Sequence, residues 1–323
     1  MKKRKLYIVL IIFIVLIVFF GTVKVLSERA EKPYNITFIR MKEGGQFWSS
    51  MRNGVREART DNHCIVDFYS TVNAADVSTQ IDYINKTVNN GTDCIVITPC
   101  SYYLLQKPLK IAEESGVKVI SLFNEYDKDE ESSASFYMTD LHPAGRAMAE
   151  ELFSNNKFSY INALIVGSFA TLSSERYLAE GFSEVLKNEP NANFKVIYTG
   201  RKIDSICTQI INSYKIDSKI NIIFTVNAET SEALIKALQM IDSGNNILSV
   251  VSSNSLINIE SLETNIVDYI LVINSFAMGY QSIYAAIDLI EGKKVENISV
   301  DFSIVNKKNM FEPDIQKRLF LMP

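Results

Sequence analysis

Histidine is nearly missing from this chain. His63 and His142 are the only two in 323 residues, on different segments and with no cysteine or carboxylate at ligand spacing. A protein metal site needs three or more such groups converging, so no metal is expected. Phosphate-loop glycines are also lacking: the turn Glu43–Gln46 has neither the glycine spacing nor the Lys-Ser/Thr pair. No Gly-x-Ser-x-Gly elbow occurs, and His142 has no evident nucleophile beside it. The chain therefore offers no catalytic residues, and no cofactor is expected. Cysteines number four, and Cys64 and Cys94 fall inside apolar, strand-like runs where a buried free thiol is expected. Cys94 and Cys100 would lie about six extended residues apart, too far to bridge, so no disulfide is expected although an oxidising compartment would permit one. Positive charge is short too. Net charge is −4 and no basic face follows the first five residues, which argues against nucleic acid as a partner.

What is present begins with an apolar run. Lys2, Lys3, Arg4 and Lys5 precede a stretch from Leu6 to Phe20 that continues, with Gly21, Thr22 and Lys24 intervening, to Leu26. A spanning helix needs about 17–25 mainly apolar residues, and basic residues before it stay cytoplasmic. Residues 1–27 thus read as a cytoplasmic tag and transmembrane anchor, placing the body outside the membrane. A cleaved signal peptide is the competing reading, but the cuts after Ser27 or Ala30 are poor, with Glu28 and Arg29 crowding the second. No cysteine follows the run before Cys64, so no lipid attachment point stands at a signal-peptide junction.

The remaining body, with 47% hydrophobic and 22% charged residues over the whole chain, has the composition of a folded protein and the length for two domains. Short β-rich runs alternate with helical patterns. NITFIR, CIVDFYS, DCIVIT and VKVISLF read as strands. The helices between them carry Phe47, Met51, Val55 and Ala58, then Val77, Ile81, Ile84 and Val88, then Leu105, Leu109 and Ala112. Near residue 160 the pattern restarts with INALIVG, FKVIYT, NIIFTV and ILSVVSS, and helices carrying Leu178, Phe182 and Val185, then Ala233, Leu234, Ala237, Leu238 and Ile241. Continuous apolar strands between helices indicate parallel sheets covered on both faces. The acidic stretch Asp127–Glu131 reads as a solvated loop.

FWSSMRNGVREA, DCIVITP, SGVKVISLFN, YMTDLHPAGRAMAEEL, SSERYLAEGFSEVL, NIIFTVNAETSEALIKAL, SVVSSNS and FAMGYQSIYAAIDLIEGKKV occur in that order from about Asn35 to Pro313. This series resembles the type I periplasmic sugar-binding proteins, the group of the ribose-binding protein and the lactose-repressor core. The resemblance implies an α/β fold of two doubly wound parallel-sheet lobes joined by a hinge, here preceded by one N-terminal transmembrane helix. It implies a first lobe of residues 34–139 plus 275–304 and a second of 140–274 plus 305–323. The ligand would lie in the cleft between them, beyond the carboxyl ends of the strands.

Sugars offer apolar faces and a rim of hydroxyls, which call for aromatic rings, amides, carboxylates or Arg. By resemblance, Phe47 and Trp48 occupy the family's aromatic positions, and at least one is expected to face a ligand. Asn227 matches a polar ligand-binding position at a strand end; a turn or helix cap is the competing role, but Thr230 or Ser231 could equally serve as the cap, so binding is expected. Asn254 stands where many members carry an aspartate. Leu178 replaces a frequent arginine, with Arg176 two residues earlier. Phe123 replaces an aspartate beside Asn124, and Ile273 replaces a glutamine beside Asn274. Thr139 and Asp140 keep the polar character of the crossover. The cleft is expected to be amide-rich and poor in charged clamps. A lobed binder tethered to a membrane fits a ligand sensor for a histidine kinase of a two-component system. The alternative is the substrate-binding component of an ABC sugar importer, with a permease as partner. A transcriptional repressor shares the core fold but needs a DNA-binding helix pair where the apolar run stands.

Overall fold

The computed structural model describes residues 33–41, 46–73, 76–122, 141–241, 247–295 and 300–320. The chain divides into a short unit, Met1–Tyr34, and a body, Asn35–Pro323. The apolar run 6–26 and the acidic stretch 127–131 lie outside the described residues, as do Asn124, Thr139 and Asp140. Among the described residues no helix is long and apolar enough to cross a membrane.

Two sheets organise the body. The first has the order β2-β1-β3-β4, all parallel, from β1 (Asn35–Arg40), β2 (Ile65–Ser70), β3 (Cys94–Ile97) and β4 (Lys118–Ser121). Between them run α1 (Gln46–Asp61), α2 (Val77–Asn89) and α3 (Tyr102–Glu114). Every residue of β3 is fully buried, as a central parallel strand covered on both faces should be. Leu105, Leu109 and Ala112 of α3 are fully buried against it, together with Ile84 of α2. The buried face of α2 centres on Gln80, Ile84 and Thr87, with Val77, Ile81 and Val88 at its margins. Hydrophobic pattern alone could not place Gln80 there. Its amide donates to the Thr98 carbonyl and its Oε1 accepts from the Cys100 amide, both at 2.9 Å, so a polar side chain closes the end of β3.

The second sheet has the order β10-β9-β8-β7-β5-β6. Its strands are β5 (Ile161–Gly167), β6 (Ala192–Tyr198), β7 (Ile222–Thr225), β8 (Leu248–Val251), β9 (Tyr269–Ile273) and β10 (Phe302–Asn306). Its helices include α4 (His142–Asn155), α5 (Ser173–Lys187), α6 (Ile203–Ile216), α7 (Ala228–Met240) and α8 (Leu256–Glu263). All neighbours in it are parallel except β10, which runs antiparallel to β9 and which the parallel pattern did not anticipate. The expected lobe boundary at residue 304 falls inside β10, whose ladder with β9 sets Phe302, Ser303 and Ile304 in the second sheet.

After β9 the chain leaves this sheet as α9 (Ser275–Ile290), which packs along α1. The two helices touch backbone to backbone at a pair of glycines. A Cβ on Gly54 would collide with the Phe276 carbonyl, and one on Gly279 with the Met51 carbonyl. The second lobe repeats the device, with Gly145 of α4 against the Leu178 carbonyl of α5 and Gly181 of α5 against that of His142. The chain then returns through β10 to the last helix, α10 (Pro313–Phe320). All four cysteines are buried and unbridged, and burial pushes the Cys100 thiol up to about 11, which keeps it unreactive.

Candidate functional site

Strand order reverses beside β1 in the first sheet and beside β5 in the second, and open α/β sheets bind ligands outside the carboxyl ends of strands at such points. A cavity of about 800 Å³, counting the solvent at its mouth, lies there. Its lining comes from the segments after β1 (Met41, Phe47, Trp48), from Leu141 and from the first turns of α5 and α7. The ends of β8 and β9 complete it with Ser252, Ser253, Asn254 and Ile273.

Both Phe47 and Trp48 line it, although neighbours on a helix point about 100° apart. The reason is that the end of α1, not its side, faces the cavity, and helical side chains lean toward the N-terminus. The rings meet edge to face at 5.2 Å, and the Arg40 guanidinium sits 5.7 Å from the centre of the Trp48 ring. Leu178 and Ile273, the apolar replacements for arginine and glutamine, also line the cavity. Arg176 is not among the described lining residues; its guanidinium lies 5.6 Å over the Tyr177 ring.

The second-lobe wall is polar and tied together. Asn227 caps α7: its Oδ1 accepts from the Thr230 amide at 2.8 Å, completing a capping box. Its amide group donates to Ser168 Oγ and Glu175 Oε1, both at 2.8 Å. The cap and the cavity wall are thus one residue, because a strand end at a cleft is also a helix start. Asn254, 7% exposed, donates to the carbonyls of Leu319 at 3.1 Å and Arg318 at 3.4 Å in α10. Asn274 does not line the cavity. It caps α9 by accepting from the Ala277 amide at 3.0 Å and donates to Asp301, which also pairs with Arg318 at 2.8 Å. Against the burial that raises it, these two donors hold the Asp301 carboxyl below its usual range.

Sequence reasoning passed over Glu175. Its carboxylate is buried, with Oε2 accepting from the amides of Ser168 at 2.6 Å and Phe169 at 3.0 Å. Burial pushes it up to about 7 despite those bonds and the nearby Arg201. A glutamate in the first turn of a helix is ordinary, so no local signal marked it. Glu229, opening α7, lines the cavity and pairs with Arg201 at 3.2 Å. Among the described residues no group of three or more His, Cys, Asp or Glu could hold a metal ion.

Two doubly wound lobes meeting across a cavity, with aromatic rings on one side and amides, hydroxyls and carboxylates on the other, define a two-lobed ligand-binding protein. Residues 36–294 match the family described as periplasmic binding protein domain, and the chain belongs to it. It is 25% identical over 187 residues to the ABC transporter periplasmic-binding protein YphF of Escherichia coli, covering 55% of this chain and 56% of that one. It is 22% identical over 166 residues to the D-ribose/D-allose-binding protein of Pseudomonas aeruginosa, covering 50% and 51%. The chain thus spans about half the length of the curated relatives it matches. The crystal structure of a carbohydrate transporter solute binding protein from Agrobacterium radiobacter, in complex with D-arabinose, superposes with a TM-score of 0.79. That match covers 90% of this chain and all of the other at 21% identity, and it shows the type I two-lobe fold. The named relatives are binding proteins, not enzymes.

Proposed function

We propose that this chain is an extracytoplasmic binding protein for a small solute, a sugar, which it holds in the cleft between its lobes. The observation that carries the reading is the two-sided cavity: Phe47 and Trp48 suit the apolar face of a sugar ring, and the second-lobe wall suits its hydroxyls. By the same resemblance, Asn124, Thr139 and Asp140 are assigned to this proposed site. Closure about the hinge would follow from tighter binding to the closed arrangement. A thermal-shift screen of mono- and disaccharides tests this, since a ligand at 100 times its Kd stabilises by about 2.7 kcal/mol. Stabilisation by other small solutes but by no sugar would sink the sugar assignment.

The apolar run 6–26 supports a tethered binder whose closure changes the surface shown to a histidine kinase in the same membrane. The name of the YphF relative favours the second reading, delivery of the sugar to an ABC permease. Mass measurement of the mature N-terminus separates them: an intact segment 1–26 supports the sensor, and its removal supports the importer.

A further inference from the structure

We propose that the second-lobe wall selects solutes by their hydrogen-bond donors, holding a hydroxylated solute with a protonated amine more tightly than its neutral counterpart and shutting out the carboxylate counterpart. This rests on the cavity being the solute site, and it narrows the ligand class. The wall holds two asparagines, but their donors are already engaged. Both amide hydrogens of Asn227 go to Ser168 and Glu175, and those of Asn254 go to the carbonyls of Arg318 and Leu319. An asparagine has two donor hydrogens and no more, so neither can donate to a solute. Asn227 Oδ1 is filled by the amide and hydroxyl of Thr230. Asn254 Oδ1 has no hydrogen bond among the described residues, although the residue is 7% exposed and lines the cavity. A donor on the solute could therefore bond that oxygen in place of solvent.

The carboxylates point the same way. Glu175 Oε1 accepts a single hydrogen bond, from Asn227, and no cation lies within ion-pair distance of Glu175 among the described residues. An ammonium group would supply a further donor to this oxygen and a positive charge at shorter range than Arg201. The N-terminal ends of α5 and α7 would attract an anion, but each already carries its own acid, Glu175 and Glu229, in its first turn. No Lys, Arg or His lines the cavity among the described residues, and the serine hydroxyls there are those of Ser174, Ser252 and Ser253. Ser252 Oγ, buried and without a partner, could serve a solute hydroxyl in either direction.

The test is isothermal titration of the full chain in detergent with matched sets of pyranoses in several stereochemical series, each as the neutral sugar, its 2-amino form and its uronic acid. Ethanolamine and glycolate are added as sugar-free amine and acid. Within any series that binds, the amino form should bind at least threefold tighter than the neutral sugar, and the acid at least tenfold weaker. In Glu175→Gln the amine advantage should vanish, so that the amino form and the neutral sugar bind that variant alike. If that variant fails to fold, the ranking on the unmodified chain decides. Neutral binding with no amine advantage, or an acid within threefold of the neutral sugar, overturns donor selection and leaves the sugar reading standing. Binding of ethanolamine but of no sugar sinks the sugar reading and upholds donor selection. Binding of glycolate alone, or of nothing in the panel, overturns both.

Discussion

Asn254 and Leu319 are joined by a hydrogen bond of 3.1 Å from side-chain amide to main-chain carbonyl, so a wall of the ligand cleft is held by the last helix of the chain. This accounts for the amide at a position where, by the resemblance, many family members carry aspartate. Only a donor satisfies the two carbonyls that meet there.

Asn254→Asp should therefore destabilise the protein. The carboxylate would face the oxygens of Arg318 and Leu319 in a buried setting and lose both donors. Losing these bonds while burying an unpaired charge should cost about 2–4 kcal/mol. Urea denaturation monitored by circular dichroism measures it. An unchanged midpoint would show that the α10 contact carries no weight.

Glu175 predicts a pH dependence. Its folded pKa, about 7, lies above the ordinary carboxylate value of about 4.3 in the unfolded chain. The folded state then binds more protons than the unfolded state between these values, so stability falls as pH rises through that window and levels off above about 7. The loss is on the order of 3 kcal/mol at about 1.4 kcal/mol per pH unit. Glu175→Gln should flatten that part of the profile, read from denaturation curves at pH 5, 6 and 7.5. A slope of the same size in the variant would assign the effect elsewhere.

Gly279→Ala should lower stability by about 2–4 kcal/mol, because the new methyl meets the Met51 carbonyl and α9 must move away from α1. The change sits outside the cavity lining. A calorimetric melt should shift by several degrees downward, and a melt within one degree of the parent would mean the helices separate freely.

Trp48 is the only tryptophan and lines the cavity, so selectively excited tryptophan emission reports on that wall. Ligand that docks against it should shift and quench or enhance that emission with a saturable dependence. Trp48→Leu should weaken binding about tenfold, in line with the stacking it removes. Full affinity in the variant would move the ring contact to Phe47.

Much of the fold was legible because continuous apolar strands and periodic helices are local patterns. NITFIR, INALIVG and the Leu105–Leu109–Ala112 face stand in the structure where the pattern sets them. The antiparallel β10 was not legible, since FSIVN has no composition that marks direction, and its pairing with β9 depends on where α9 delivers the chain. Within the cleft, Phe47, Trp48, Asn227 and Asn254 were found through family position. Glu175 was not, because its interest arises from burial at the end of β5 together with a bond from Asn227 at the start of α7, which lies distant in sequence.

The sequence by itself determined the alternation of strands and helices, the two-lobe class and the residue types available to a ligand. These follow from periodicity and side-chain chemistry, which act over a few residues. Only the tertiary structure decided how those types are used. It engages the donors of Asn227 and Asn254 with protein partners, turns Asn274 into a cap, sends Arg176 to an aromatic ring and buries Glu175 in the wall. Hydrogen-bond capacity is finite and burial is set by distant segments, so an amide-rich sequence became an acceptor-rich cleft.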